Sequence, residues 1–193
     1  MPDNLSVSEA QQRIIQKIHP TEIEKIGLMR ALNRVLAADI VSPVNLPLFD
    51  NSSMDGFAVI AGDTAEASPQ QPIKLKIVAD IPAGSSAVLS LHSGEAARIM
   101  TGGMIPAGAD AVVPVENTGY QRQSVNQPAG EIVKIMAPAR VGENIRKQGQ
   151  NAMEGEPILK KGRRLTAQDI GAAAALGIPD LPVFQQPRVA LLT

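Results

Sequence analysis

Three short stretches gather the residue types that chemistry needs. In the first, Phe49-Asp50-Asn51-Ser52-Ser53-Met54-Asp55-Gly56-Phe57, two carboxylates and two serine hydroxyls lie on one short run. Asp50 and Asp55 on a loop could meet a hard cation or the water shell of a bound oxyanion. The same run also reads as a tight turn whose side chains bond back to the backbone, since Asp-Gly is a common turn signal. Met54 suits the core better than a ligand role. The second stretch runs from Arg98 through Ile-Met-Thr101-Gly102-Gly103 to Asp110. Gly102 and Gly103 can open a concave set of backbone N–H groups toward an anion, with the Thr101 hydroxyl beside it. It lacks the Gly-Lys-Ser/Thr ending of a P-loop and is followed by a strand-like run, so it is not that motif. The third is Gly142-Glu-Asn-Ile-Arg146-Lys147-Gln-Gly149-Gln150-Asn151. Arg146 as a fork and Lys147 as a point charge could bind phosphate or another oxyanion, or form a solvated basic turn. His19 and His92 lack neighbouring ligands for zinc, and no Gly-x-Ser-x-Gly elbow is present.

Around these stretches the chain of 193 residues carries 18 Lys+Arg against 19 Asp+Glu, for a net charge of −1. No basic excess exists to neutralise a nucleic-acid backbone or grip an anionic membrane, so neither is an expected partner. With no cysteine, disulfides, thiolate metal sites and a cysteine nucleophile are excluded. Phe49, Phe57, Phe184 and Tyr120 are the whole aromatic complement, too sparse for base stacking or an aromatic-lined groove. No run of 18 apolar residues occurs and the first residues are polar, so the expectation is a soluble cytoplasmic protein.

The elements that must position the three stretches can be read in part. Val7, Ala10, Ile14, Ile15 and Ile18 recur at helical spacing behind a Ser6–Glu9 capping box, predicting an amphipathic helix to about His19, docked on its own domain or on a partner subunit. Glu22 to Val44 stays open between a helix and short strands. From Pro47 to Gln148, prolines and glycines separate β-rich runs at 57–60, 73–79, 97–100, 111–115 and 131–136, predicting a small barrel or sandwich. A second capping box, Thr166 with Asp169, opens a helix that Gly177 and Pro179 close. Helical flanks around a β insert imply a discontinuous outer domain. Arg188 to Thr193 reads as the opening strand of a parallel α/β sheet that is cut off after it.

Taken in order, the motifs resemble the molybdopterin molybdenumtransferase family, which includes the C-terminal domain of gephyrin and its plant relatives. The resemblance rests on Pro47-Leu-Phe-Asp-Asn-Ser-Ser-Met-Asp55-Gly-Phe-Ala-Val, on Arg98-Ile-Met-Thr101-Gly-Gly-Met-Ile-Pro-Ala-Gly-Ala-Asp-Ala-Val-Val, on Gly142-Glu-Asn-Ile-Arg146, and on Ala174-Ala-Leu-Gly-Ile leading to Pro187-Arg-Val-Ala-Leu. It covers nearly the whole chain in collinear order. It implies an α+β fold: residues 1–46 with 149–182 as a discontinuous stalk and dimerisation domain, 47–148 as an inserted β-barrel-like domain, and 183–193 as the first strand of a truncated pterin-binding α/β domain.

The resemblance also implies an activity. Family members insert molybdenum from molybdate into adenylylated molybdopterin, releasing AMP, with a divalent cation such as Mg2+ assisting. They act as homodimers, with other molybdenum-cofactor enzymes as further partners. The site lies between the inserted domain of one subunit and the α/β domain of the other, so this chain would carry one wall of it. On that wall the resemblance assigns Asp55, Thr101 and Arg146 to catalysis, with Asp55 also a cation ligand, and Ser52, Gly102, Gly103, Lys147 and Asn151 to substrate binding. A non-catalytic dimerisation or binding module sharing the stalk and β domain is the alternative. Two departures stand out: Asn151 occupies a position where the family carries a carboxylate, and Phe57 one where many relatives have tyrosine.

Overall fold

The structure is a computed structural model that describes residues 5–85, 89–120 and 131–191. Two compact units divide the chain: a flanking unit, built from residues up to Pro43 and from Gly155 onward, and an inserted unit, Val44–Glu154. The division falls outside the 46/47 and 148/149 limits read from composition. Leu46 and Ala152 form an antiparallel bridge, with the Leu46 N–H donating to the Ala152 carbonyl at 2.8 Å, and this draws both connecting stretches into the inserted unit.

The flanking unit begins with helix α1 (Val7–Lys17), strand β1 (Ile23–Gly27), a 3-10 turn at Leu28–Arg30 and strand β2 (Ile40–Val41). The inserted unit then contributes β3 (Asn51–Ser52), β4 (Gly56–Val59), β5 (Ile73–Ile81), β6 (Glu95–Ile99), β7 (Ala111–Pro114), β8 (Ile132–Ile135) and β9 (Ile145–Arg146). The chain returns to the flanking unit as β10 (Pro157–Leu159), α2 (Ala167–Ala175) and β11 (Asp180–Phe184).

In the flanking unit, β1 pairs antiparallel with β11, from Ile23 opposite Phe184 to Gly27 opposite Asp180. A second short ladder joins β2 to β10. Ile26, Leu181 and Val183 of these ladders make one core with Leu36 and Leu165 of the connecting segments and Ala173 of α2. The ambiguous stretch after Pro20 is thus strand and turn, because β11 supplies a partner backbone that no local pattern reveals. Helix α1 forms behind its Ser6–Glu9 box as expected, ending at Lys17. None of its residues is buried, and Val7, Ile14 and Ile15 are exposed. The expected docking of its apolar face on its own domain does not occur among the described residues.

The inserted unit is organised around a five-stranded sheet in the order β7-β4-β6-β5-β8, antiparallel except for the β5–β6 pair. The expected β-rich runs all map onto these strands. β4 is buried along its whole length. Phe57 and Val59 enter one apolar cluster and Ala58 the other, as a period of two on a sheet covered on both faces requires. Past β7 the chain bonds to the far edge: Thr118 bridges Ile135, and Gly119 N–H donates to the Lys134 carbonyl at 2.8 Å. The sheet therefore curls into a half-barrel, with the chain after β7 bonded to the β8 edge, and the fold class is α+β.

One expected element is not present as read. Residues 188–191 carry no strand, and Val189 and Leu191 are exposed; Leu192 and Thr193 lie outside the described residues. A strand needs a neighbouring backbone to complete its hydrogen bonds, and none of the described residues offers one. Val183 and Phe184, read as the start of that strand, belong instead to β11.

Candidate functional site

The site is a corner of the inserted unit where the first two chemical stretches are laced together. Ser52 N–H donates to the Gly103 carbonyl at 3.0 Å, Gly102 N–H to the Ser52 carbonyl at 2.8 Å, and Ile105 N–H to the Asp50 carbonyl at 3.0 Å. Ser52 is fully buried, and its hydroxyl closes a turn by donating to the Met54 carbonyl at 2.5 Å. That turn aims Asp55 at the second loop. One Asp55 oxygen, Oδ1, accepts both the backbone N–H and the hydroxyl of Thr101, each at 2.8 Å.

This arrangement decides what each group can do. With its proton donated to Asp55, the Thr101 hydroxyl offers only lone pairs to a bound group; it receives a hydrogen bond and cannot donate one to an oxyanion. The anion nest expected from Gly102 and Gly103 is closed. Gly102 N–H is held by Ser52, and Gly103 N–H donates to the Met100 carbonyl at 2.8 Å. The two glycines serve geometry instead. Gly102 sits at φ +82°, and a Cβ on Gly103 would lie 2.9 Å from the Met100 oxygen.

The third stretch reaches this corner through the β3–β9 pair, which sets Asn51 opposite Arg146. Arg146 is exposed, and its fork is steered from below: Nε donates to Asn51 Oδ1 at 3.0 Å and Nη2 to the Ser52 carbonyl at 3.3 Å. Ser52 thus links the Gly102 loop and the Arg146 guanidinium through one carbonyl. Lys147, expected to hold substrate, is paired with Asp50 at 2.7 Å. The Lys147 ammonium, with help from the Gln148 N–H, holds the Asp50 carboxyl below the usual carboxylate range. Asp50 therefore organises a turn, and Lys147 carries a charge already balanced. Asn151 stands apart: its N–H donates to the Leu46 carbonyl at 2.8 Å, and its side chain joins none of the hydrogen bonds that link Asp55, Thr101, Ser52 and Arg146.

A divalent cation does not find a ready set of ligands here. Among the described residues no three His, Cys, Asp or Glu side chains gather, and Asp55 Oδ1 already accepts twice.

Two residues escaped the sequence reading. Arg98, named only as the first letter of a motif, is buried under the Tyr120 ring, 5.5 Å from its centre. Asn51, passed over as a turn former, orients Arg146. An arginine inside the apolar run Ala96-Ala97-Arg98-Ile99 was the available signal for the first. The second needed the β3–β9 register.

A sequence profile described as MoeA N-terminal region (domain I and II) matches residues 5–177. The chain belongs to that family. Among relatives of this MoeA N-terminal region, the molybdopterin molybdenumtransferase 2 of Mycobacterium tuberculosis is 40% identical over 188 residues, covering 97% of this chain and 44% of the relative. The molybdopterin molybdenumtransferase of Synechococcus elongatus is 36% identical over 192 residues, covering 98% of this chain and 46% of the relative. The crystal structure of the molybdopterin biosynthesis moeA protein from Pyrococcus horikoshii OT3 superposes with a TM-score of 0.80 at 35% identity, covering 91% of this chain and 45% of that one. The chain spans less than half the length of the relatives it matches.

Proposed function

We propose that this chain is the N-terminal region of a molybdopterin molybdenumtransferase that acts in molybdenum cofactor biosynthesis. In this reading the inserted unit forms one wall of a site at which molybdenum from molybdate enters adenylylated molybdopterin and AMP leaves, the other wall coming from the partner subunit of a homodimer. The observation that carries the reading is the Asp55–Thr101 clasp, built from two collinear family motifs and set beside a steered cation.

The roles follow from the geometry. Molybdate, pyrophosphate linkages and AMP are anions, and Arg146 meets them with the N–H groups that Asn51 and Ser52 leave over. Thr101 accepts a hydrogen bond from a substrate hydroxyl, amine or water, and Asp55 fixes its direction while adding negative charge behind it. Asp55 can also take the proton of a water that the Thr101 oxygen aligns. Lys147 contributes through the field of its pair with Asp50, and Asn151 stays outside this set.

Asp55→Asn in the full-length protein tests this. The amide oxygen keeps both hydrogen bonds from Thr101, while the charge is lost and the second oxygen is replaced by an NH2 donor, so AMP release on molybdate addition should fall on the order of 100-fold with folding intact. Unchanged turnover would sink the reading. The alternative, a dimerisation module without turnover, draws its support from the exposed apolar face of α1. It is favoured if the full-length protein dimerises yet releases no AMP.

A further inference from the structure

Arg98 is a charged side chain inside the inserted unit's core. It is 5% exposed and lies on β6 between Ala97 and Ile99, both fully buried. The β4–β6 ladder sets it opposite Phe57. Cross-strand partners of an antiparallel ladder share a face, so Phe57 and Arg98 lie on one side of the sheet; Asp55 stands just before β4 and Met100 just after β6. Arg98 and Asp55 both line a cavity of about 20 Å³, together with Phe57, Met100 and Tyr120. A space of that size holds one water.

The guanidinium is fixed from two other directions. Nη1 meets Asp80 Oδ2 at 3.3 Å. Its carbon lies over the Tyr120 ring, which meets Phe57 edge-on at a centroid distance of 5.4 Å. A buried cation is costly, and an apolar side chain of similar volume would pack this strand with less desolvation. Asp80 is half exposed and touches one nitrogen of a five-donor fork, so it does not by itself account for placing a guanidinium here. The cavity that Arg98 shares with Asp55 gives the guanidinium a second polar neighbour.

We propose that Arg98 is a positioning residue for the Asp55–Thr101 pair: its guanidinium, locked by Asp80 and Tyr120, bonds the Asp55 carboxylate through one water in the shared cavity and fixes which carboxylate oxygen receives Thr101. The link to catalysis rests on the transferase reading above; the water-bridged geometry does not.

Two measurements on the full-length protein test it. A high-resolution crystal structure should show an ordered water within about 2.7–3.2 Å of both the Asp55 carboxylate and the Arg98 guanidinium. A dry cavity, or a water that touches only one of them, overturns the proposal, and this readout needs no variant and no activity. In kinetics, Arg98→Met should lower kcat at least about tenfold while KM for the adenylylated pterin changes less than about twofold. Arg98→Lys, which keeps the charge and can still reach the water, should recover most of the loss. Equal losses in both variants would mark a purely structural role, and full kcat in Arg98→Met would exclude any role. Full activity in Asp55→Asn would remove the transferase role of the pair and leave the crystallographic test standing. A normal Asp55 dependence with an indifferent Arg98→Met would remove this inference alone.

Discussion

The corner at Asp55 and the start of α2 use the same device to different ends. In each, one carboxylate oxygen accepts both the backbone N–H and the hydroxyl of a single threonine: Asp55 from Thr101 at 2.8 Å each, Asp169 from Thr166 at 2.9 Å each. At α2 the two residues stand three apart, the Thr166 oxygen accepts back from the Asp169 N–H, and Arg163 Nε completes the carboxylate's shell at 2.9 Å. Every group there serves the helix terminus. At the Asp55 corner the partners are 46 residues apart and no helix begins, so the hydroxyl is oriented without any backbone end to satisfy. The same hydrogen bonds that close a helix in one unit aim a side chain in the other.

Substitutions at the two carboxylates should separate these uses, and the largest effect belongs to the corner. Asp55→Asn is expected to lose on the order of 100-fold in turnover while its melting temperature stays near that of the parent. Asp169→Ala is expected to do the reverse, lowering the stability of the flanking unit by about 1–2 kcal/mol with turnover kept. Calorimetry and AMP release on the same preparations read both. If Asp55→Asn melts early at full activity, the corner is a cap like the other and the comparison collapses.

Acid should act next. Arg163 foremost, then the Thr166 N–H and hydroxyl, hold the Asp169 carboxyl below its usual range, and Lys147 does the same for Asp50. A carboxylate depressed in the fold stabilises it above the unfolded value of about 3.9, and the gain disappears as pH falls through the folded value. Melting temperature should therefore be flat above about pH 5 and drop below about pH 4. Asp169→Ala should have a shallower acid limb, and an unchanged limb would mean that the Arg163–Asp169 pair contributes nothing in solution.

The smallest effect is expected at the third copy of the device, Ser6 with Glu9 at the head of α1. Because α1 buries none of its residues, Ser6→Ala should fray that helix, at about 1 kcal/mol or less, and leave the main melting transition where it was. Loss of helical circular dichroism with an unmoved transition is the expected result. A lower transition would show that the α1 face is covered in solution.

What the sequence disclosed follows the same division. Both helix caps were legible because the carboxylate and hydroxyl stand three residues apart, and the strands of the inserted unit because proline and glycine bracket runs of β-forming residues. Asp55 and Thr101 could be singled out by type but not joined. The closing of the Gly102–Gly103 nest was illegible for a similar reason: the group that occupies the Gly102 N–H is the carbonyl of Ser52, on another strand. The ladder of β1 with β11 was hidden too, since its halves lie at opposite ends of the chain and each alone reads as a short apolar run. The exposed face of α1 shows the converse limit: periodicity reports that a face is apolar and is silent on what covers it.

Ser52 carries a consequence for how the molecule assembles. Its N–H and carbonyl bond to Gly103 and Gly102, its carbonyl also receives Arg146, and its neighbour Ser53 bonds to the Asn144 carbonyl at 2.9 Å. Each of these struts closes a long loop, and none can form while its neighbours are still searching for register. Loop-closure entropy is met before such contacts reward it, so this corner should be a late event in folding, set only after β4, β6 and β7 have paired. A nascent chain would carry all of the side chains of the site well before it has the site.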